Sequence, residues 1–247
     1  MGPTSSGSVV AMRVAALYDV HGNLPALEAV LADLAATPPD AIVVGGDVVW
    51  GPFPAECVAL LRGVGARFLA GNCEREVLTG DSDADRWCGE RLDEDLRAEI
   101  AGWPATIELD LDVLGHVLFC HATPRSDDEI ITTLTPDGAV AEALAGAAAD
   151  VVVCGHTHVQ TDRTVVGAPR LVNAGSVGLP CEGTHGAFWV VLDGGVELRR
   201  TEYAVEAALT RLATPGFPAV DEVFFEAVRG EITYAAASEH FESLRGS

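Results

Sequence analysis

The chain has 247 residues, 49% hydrophobic and 21% charged, enough to build one sizeable α/β core in a single domain. Acidic side chains number 37 against 15 basic ones, a formal net charge of -22, which excludes a nucleic-acid duplex and an anionic membrane surface as partners. All the basic side chains are arginine, so Schiff-base chemistry and a lysine-bearing phosphate loop are excluded too.

Six cysteines, at 57, 73, 88, 120, 154 and 181, form no C-x-x-C pair and read as small buried hydrophobes or site neighbours in a reducing compartment, not a disulfide framework. Residues 1–11 are Gly/Ser-rich and read as a disordered leader or tag remnant ahead of a single domain over 12–247. No run reaches the roughly 18 apolar residues of a membrane span, so the protein is expected in the cytoplasm.

Residues 13–18 make a short apolar strand that ends in Asp19-Val20-His21-Gly22-Asn23. If extended backbone persists there, strand alternation points Asp19 and His21 to one side. Pro25 suits a first helical position, and Leu27, Val30, Leu31 and Leu34 recur at helical spacing until Thr37-Pro38-Pro39-Asp40. Residues 41–44 form the next strand, followed by Gly45-Gly46-Asp47. In the loop beyond, Trp50 and Phe53 either stack on a nucleobase or pack a proline-rich turn, and packing is the preferred reading. A helix through Cys57, Leu60 and Leu61 leads to a strand over 66–70, which ends in Gly71-Asn72-Cys73-Glu74. Three recurrences of strand, glycine and polar side chain, with helices between, predict parallel strands sharing one rim.

The run Asp81-Ser82-Asp83-Ala84-Asp85 lacks the spacing of a cation loop, and its last member is expected to cap a helix running to about residue 100. Residues 106–111 and 117–120 are predicted antiparallel strands around Gly115, the second delivering His121 and then Arg125. A helix over 136–148 follows. Val151-Val152-Val153-Cys154-Gly155-His156-Thr157-His158 comes next, an unalternating apolar run that predicts a strand covered on both faces. Open sheets bind ligands beyond the carboxyl ends of such strands, where His156 and His158 stand. Runs at 162–166, 170–173, 187–192 and 196–203 carry hairpin signals, and from about 204 the chain is helical with breaks at 214–218 and Gly230. The economical arrangement is an α/β four-layer sandwich, two mixed sheets face to face with helices outside.

Collected, the strand-end residues are Asp19, His21, Asp47, Asn72, His121, His156 and His158. Seven N and O donors exceed the needs of one ion and suit two ions sharing a carboxylate. Arg125 is a candidate clamp for a substrate phosphate, with a surface ion pair as the alternative. His185 is read first as a loop histidine, and His116 and His240 as solvated.

The ordered set D-x-H, G-D, G-N, a later H and G-H-T-H resembles the calcineurin-like metallophosphoesterase superfamily, from residue 13 to about 203. Asp19-Val20-His21-Gly22-Asn23-Leu24-Pro25-Ala26-Leu27 and Asn173-Ala174-Gly175-Ser176-Val177-Gly178 are similar to its small YfcE-like branch. The resemblance implies that Asp19, His21 and His158 hold one metal, that Asn72, His121 and His156 hold the other, and that Asp47 bridges them. It implies a hydrolase in which a metal-bridging hydroxide attacks a small phosphomonoester or phosphodiester in line. The nitrogen-rich set favours manganese, iron, zinc or nickel, with manganese expected to support activity in vitro. Many members have G-N-H-D where this chain has Gly71-Asn72-Cys73-Glu74. Cys73 is a poorer acid than imidazole near neutrality, so protonation of the leaving group is expected to fall to solvent or another group, favouring acidic leaving groups such as nitrophenol. The rival implications are a silent scaffold similar to the retromer small subunit, which lacks part of the ligand set, and a protein phosphatase. Self-association is left open.

Overall fold

The computed structural model describes residues 12–245, and the leader expected over 1–11 lies outside the described residues. Among the described residues, ten strands form two five-stranded sheets. The first has the order β10-β9-β1-β2-β3, built from β1 (Val14–Leu17), β2 (Ala41–Val44), β3 (Arg67–Phe68), β9 (Ala187–Leu192) and β10 (Val196–Thr201). The second runs β4-β5-β6-β8-β7, from β4 (Thr106–Leu111), β5 (Gly115–Cys120), β6 (Val151–Cys154), β7 (Thr161–Arg163) and β8 (Arg170–Asn173). Parallel triplets β1-β2-β3 and β5-β6-β8 carry antiparallel partners at their flanks, so both sheets are mixed.

Side-chain alternation assigns the layers. Val14 and Ala16 of β1, Val190 and Leu192 of β9, Val117 and Phe119 of β5, and Val151 and Val153 of β6 share one buried cluster between the sheets. Their neighbours Ala15, Leu17, Trp189 and Val191 face α1 (Leu24–Ala36), α2 (Pro54–Gly63) and the C-terminal helices. Leu118, Cys120, Val152 and Cys154 face α6 (Asp137–Ala143) on the far side. Both central strands are therefore apolar at every position because both faces are covered, and the four-layer sandwich holds.

Several boundaries differ from the sequence expectation. The strand over 66–70 is only Arg67–Phe68, and the chain enters α3 (Asn72–Thr79) directly after Gly71. Asn72, Cys73 and Glu74 are thus the first turn of a helix, with Glu74 Oε2 accepting from Gly71 N at 2.8 Å. The single helix expected to residue 100 is two, α4 (Asp83–Gly89) and α5 (Glu94–Ile100), because Asp93 starts a new one by accepting from Leu96 N at 2.8 Å. Ser82 caps α4, with Asp85 returning the bond from the third position. The helix over 136–148 stops at Ala143, and Gly146 turns the chain at φ 88°. The strand over 162–166 is Thr161–Arg163.

The C-terminal extension comprises α7 (Val205–Ala213), a π-helical turn Val220–Phe224, α8 (Phe225–Arg229) and α9 (Tyr234–Leu244). Glu242 of α9 accepts from Thr132 Oγ1 at 2.8 Å and Thr135 Oγ1 at 2.7 Å, which ties the helix to the loop before α6. No helix among the described residues is long and apolar enough to cross a membrane.

Candidate metal centre

The carboxyl ends of β1, β2, β5 and β6 meet at one edge of the sandwich. Asp19, His21 and Asp47 come from the first sheet, His121, His156 and His158 from the second, and Asn72 from the start of α3. His21 and His158, 137 positions apart in sequence, bring their Nε2 atoms to 3.1 Å.

The extended path assumed for Asp19 and His21 does not persist. Asp19 (φ 54°), His21 (47°), Asp47 (54°), His156 (68°) and His158 (57°) all adopt left-handed backbone, and they are the non-glycine residues with positive φ among the described residues. Such a conformation costs on the order of 1 kcal/mol or more per residue and persists only where the surroundings impose it. Here His21 N donates to Asp47 O at 2.8 Å, Gly22 N to Val48 O at 2.9 Å, and Gly178 N to Asp19 O at 2.9 Å. The left-handed turns, not strand alternation, aim the side chains at one point. Neighbouring glycines leave the room: a Cβ on Gly155 would lie 2.3 Å from Asp19 Oδ2, and one on Gly71 2.2 Å from Asp47 Oδ1.

Asp19 Oδ1 is buried and makes no hydrogen bond, although His158 Nε2 (3.4 Å), His121 Nε2 (3.9 Å) and His21 Nε2 (4.0 Å) surround it. Asp47 Oδ2 lies 3.4 Å from His121 Nε2 and 3.8 Å from His21 Nε2. Three groups have donor atoms close enough to hold a cation: Asp19 with His21 and His158, Asp19 with Asp47 and His121, and His21 with Asp47 and Cys73. Asn72 Oδ1 stands 3.1 Å from His121 Nε2. His156 is placed beside these groups, its ring edge-on to His121 at 5.3 Å and its backbone N–H donating to Asp19 Oδ2 at 3.0 Å.

Two imidazoles are oriented from behind. His121 Nδ1 faces Gly45 O and His158 Nδ1 faces Leu179 O, each at 2.8 Å. A carbonyl only accepts, so both Nδ1 atoms carry hydrogen and both Nε2 atoms point at the carboxylates, the arrangement a metal-ligating histidine needs. Burial opposes charge throughout the cluster, yet His158 holds Asp19, and His121 holds Asp47, below the usual carboxylate range. In return, and against burial, Asp47 pushes His121 up to about 10, and Asp19 likewise raises His158. Burial, helped by His158, lowers His21 to about 4, and burial with His121 does the same to His156. The cluster thus pairs two carboxylates with two imidazolium rings where divalent cations can replace the protons. An orphaned buried oxygen ringed by nitrogen donors fits a metal ion.

Glu74 builds this edge. Its Oε2 accepts from Asp47 N and Gly71 N at 2.8 Å, and its Oε1 from Val48 N at 2.7 Å and Val49 N at 3.3 Å. Burial and the adjacent Asp47 push it up to about 7, while these backbone N–H groups hold it back. Cys73 N–H donates to Asp47 Oδ1 at 2.9 Å, and burial, then Asp47, push the Cys73 thiol well up, so it stays protonated.

Arg125 is not among the clustered residues. It is chelated by Glu129, Nε to Oε2 at 2.9 Å and Nη2 to Oε1, on the rim of a cleft that His121 also lines. Trp50 packs on Phe217 at 5.0 Å and edge-on to His21 at 5.8 Å, so its loop is packed. His116, expected to be solvated, is paired with Asp110 (2.8 Å) and Glu108 (3.2 Å) across β4 and β5. Sequence reasoning missed Glu74 as a scaffold, although glutamate three residues after Gly71 is a capping signal. It also missed Phe241, whose ring lies 6.1 Å from His156 and 6.5 Å from His158 and which stands in no motif.

Residues 12–193 match the Calcineurin-like phosphoesterase superfamily domain. The chain belongs to that superfamily. It is similar to a metallophosphoesterase from Sphaerobacter thermophilus of known structure, with a TM-score of 0.71 and 25% identity, covering 89% of this chain and 100% of that one. The phosphoesterase YfcE from E. coli is 26% identical, covering 74% of this chain and 88% of that one, with a TM-score of 0.47. Protein MJ0912 of Methanocaldococcus jannaschii is 27% identical over 237 residues, 85% of this chain and 96% of its own length. The superfamily match ends at residue 193, so the helices from α7 to α9, including Phe241, lie beyond it.

Proposed function

We propose that this calcineurin-like phosphoesterase hydrolyses small phosphate monoesters or diesters with two divalent transition-metal ions. Asp19, His21 and His158 would hold one ion, Asn72, His121 and His156 the other, with Asp47 between them. The observation that carries the reading is the buried, unpartnered Asp19 Oδ1 among three imidazole nitrogens, with Asp47 Oδ2 within 3.8 Å of two of the same rings. Manganese, iron, zinc or nickel suits this donor set, and when bound such a pair acidifies water and neutralises charge on a phosphoryl group.

The remaining steps belong to the chain's own residues. Gly45 O and Leu179 O fix the tautomers of His121 and His158, so no reorientation is needed when the site fills. Glu74 and Cys73 N–H lock Asp47 in place. The Cys73 thiol is too weak an acid to protonate a leaving group, so that proton comes from solvent and esters with acidic alcohols, such as nitrophenol, react best.

Metal analysis after manganese loading, with hydrolysis of nitrophenyl phosphate and bis(nitrophenyl) phosphate, tests the reading. Wild type is expected to hold about two ions and turn over, and Asp47→Asn to lose both properties. Two bound ions with no turnover under manganese, iron, zinc or nickel would overturn the catalytic claim in favour of a scaffold.

A further inference from the structure

We infer that the cleft beside His121 is the subsite for the organic portion of the ester, and that it takes a planar, uncharged group such as an aryl ring or a nucleoside base. The inference rests on the phosphoesterase reading above for the position of the phosphate. A cavity of about 380 Å³ is lined by His121, Trp103, Ala70, Ala105, Pro124 and Arg125, with Thr123, Ser126 and Asp127 completing the wall. His121, itself buried, belongs to both the cavity lining and the metal cluster, so the cavity adjoins the cluster on that side. On the opposite side His156 and His158 are partly exposed and flanked by aromatic rings. Phe241 of α9 lies over His156 and His158, and Trp50, packed on Phe217, backs His21.

The lining gives the chemical class. Half-buried Trp103 supplies the aromatic wall and is backed by Phe68, with ring centroids 4.6 Å apart and planes at 15°. Ala70, Ala105 and Pro124 add apolar wall. The charged rim is already neutralised: Arg125 is held by Glu129, and Arg75 by Asp127 at 3.0 Å. A leaving group with further phosphates would find no uncommitted cation here, whereas a flat apolar group gains stacking worth about tenfold or more in affinity.

Binding of phenylphosphonate and methylphosphonate to manganese-loaded protein, measured by calorimetry, tests this without turnover. Phenylphosphonate is expected to bind at least about tenfold tighter than methylphosphonate, and Trp103→Ala to remove that ratio while leaving methylphosphonate binding within about twofold. Because Trp103 also packs on Phe68, a second variant guards against misfolding. Ala105→Trp, at an exposed position on the cleft wall, is expected to fill the cavity and abolish the ratio with the melting temperature unchanged. Equal affinities in wild type, or a ratio that survives both variants, would overturn the subsite. If phenylphosphonate preference holds but no ester is hydrolysed, the subsite stands and the phosphoesterase reading falls. If esters are hydrolysed with no preference, the reverse is concluded.

Discussion

Gly71→Ala tests how tightly the metal edge is packed. A Cβ at this position would lie 2.2 Å from Asp47 Oδ1, 2.9 Å from Asp47 N and 2.9 Å from His121 Cε1. To reach even 3.0 Å, the closest separation real Cβ atoms show, the carboxylate must retreat by 3.0 − 2.2 = 0.8 Å. It has little freedom to do so, because Oδ1 accepts from Cys73 N and the Asp47 backbone is pinned by Glu74. Overpacking of this kind costs about 1–3 kcal/mol of stability, and a displacement near 1 Å at a reacting centre costs roughly 100-fold in rate. We expect Gly71→Ala to fold, to unfold at lower urea with an unchanged m-value, and to bind manganese 10- to 100-fold more weakly by calorimetry. Gly63→Ala is the control: a Cβ there meets nothing within 4 Å, at the last residue of α2, and the variant should match or slightly exceed wild-type stability. Gly71→Ala with manganese affinity within twofold of wild type would refute the reasoning.

Three further outcomes follow from the same geometry. Glu74→Gln sets an amide NH2 against two of the four backbone N–H groups the carboxylate serves, so a loss on the order of 2 kcal/mol in urea unfolding and weaker manganese retention are expected. His121 is raised to about 10 against about 6.5 unfolded, so in metal-free protein its contribution to stability is full below pH 6.5 and is lost as pH rises to about 10. Over the same interval manganese affinity should rise by up to about tenfold per pH unit for each imidazole proton displaced, which thermal melts with and without manganese would record. Glu242→Ala removes the acceptor for Thr132 and Thr135, so amide hydrogen exchange should accelerate in α9 while β1 and β6 keep their protection.

The order of motifs and the two-sheet architecture were legible because both follow from local chemistry. Val151 to Cys154 has no polar position since both its faces are covered, and the glycines before Asn72 and His156 are required by steric approach, as Gly71 and Gly155 show. Boundaries were legible only where a cap or proline marked them. The start of α3 was not, since Asn72-Cys73-Glu74 reads equally as the end of a strand until Glu74 is seen bonding back to Gly71.

What the sequence by itself determined was the apolar strands and the polar residues that follow them, from which the proposed donors are drawn, because unalternating apolar runs carry that information in their own residues. Tertiary structure alone decided how the donors meet. Five left-handed backbone turns, imposed by hydrogen bonds such as His21 N to Asp47 O between loops distant in the chain, replaced the strand alternation that local reasoning supplied. It also decided that α9 lays Phe241 beside His156 and His158 and that Trp103 faces the cleft by His121. Such contacts join residues far apart in the chain, and no local propensity encodes them.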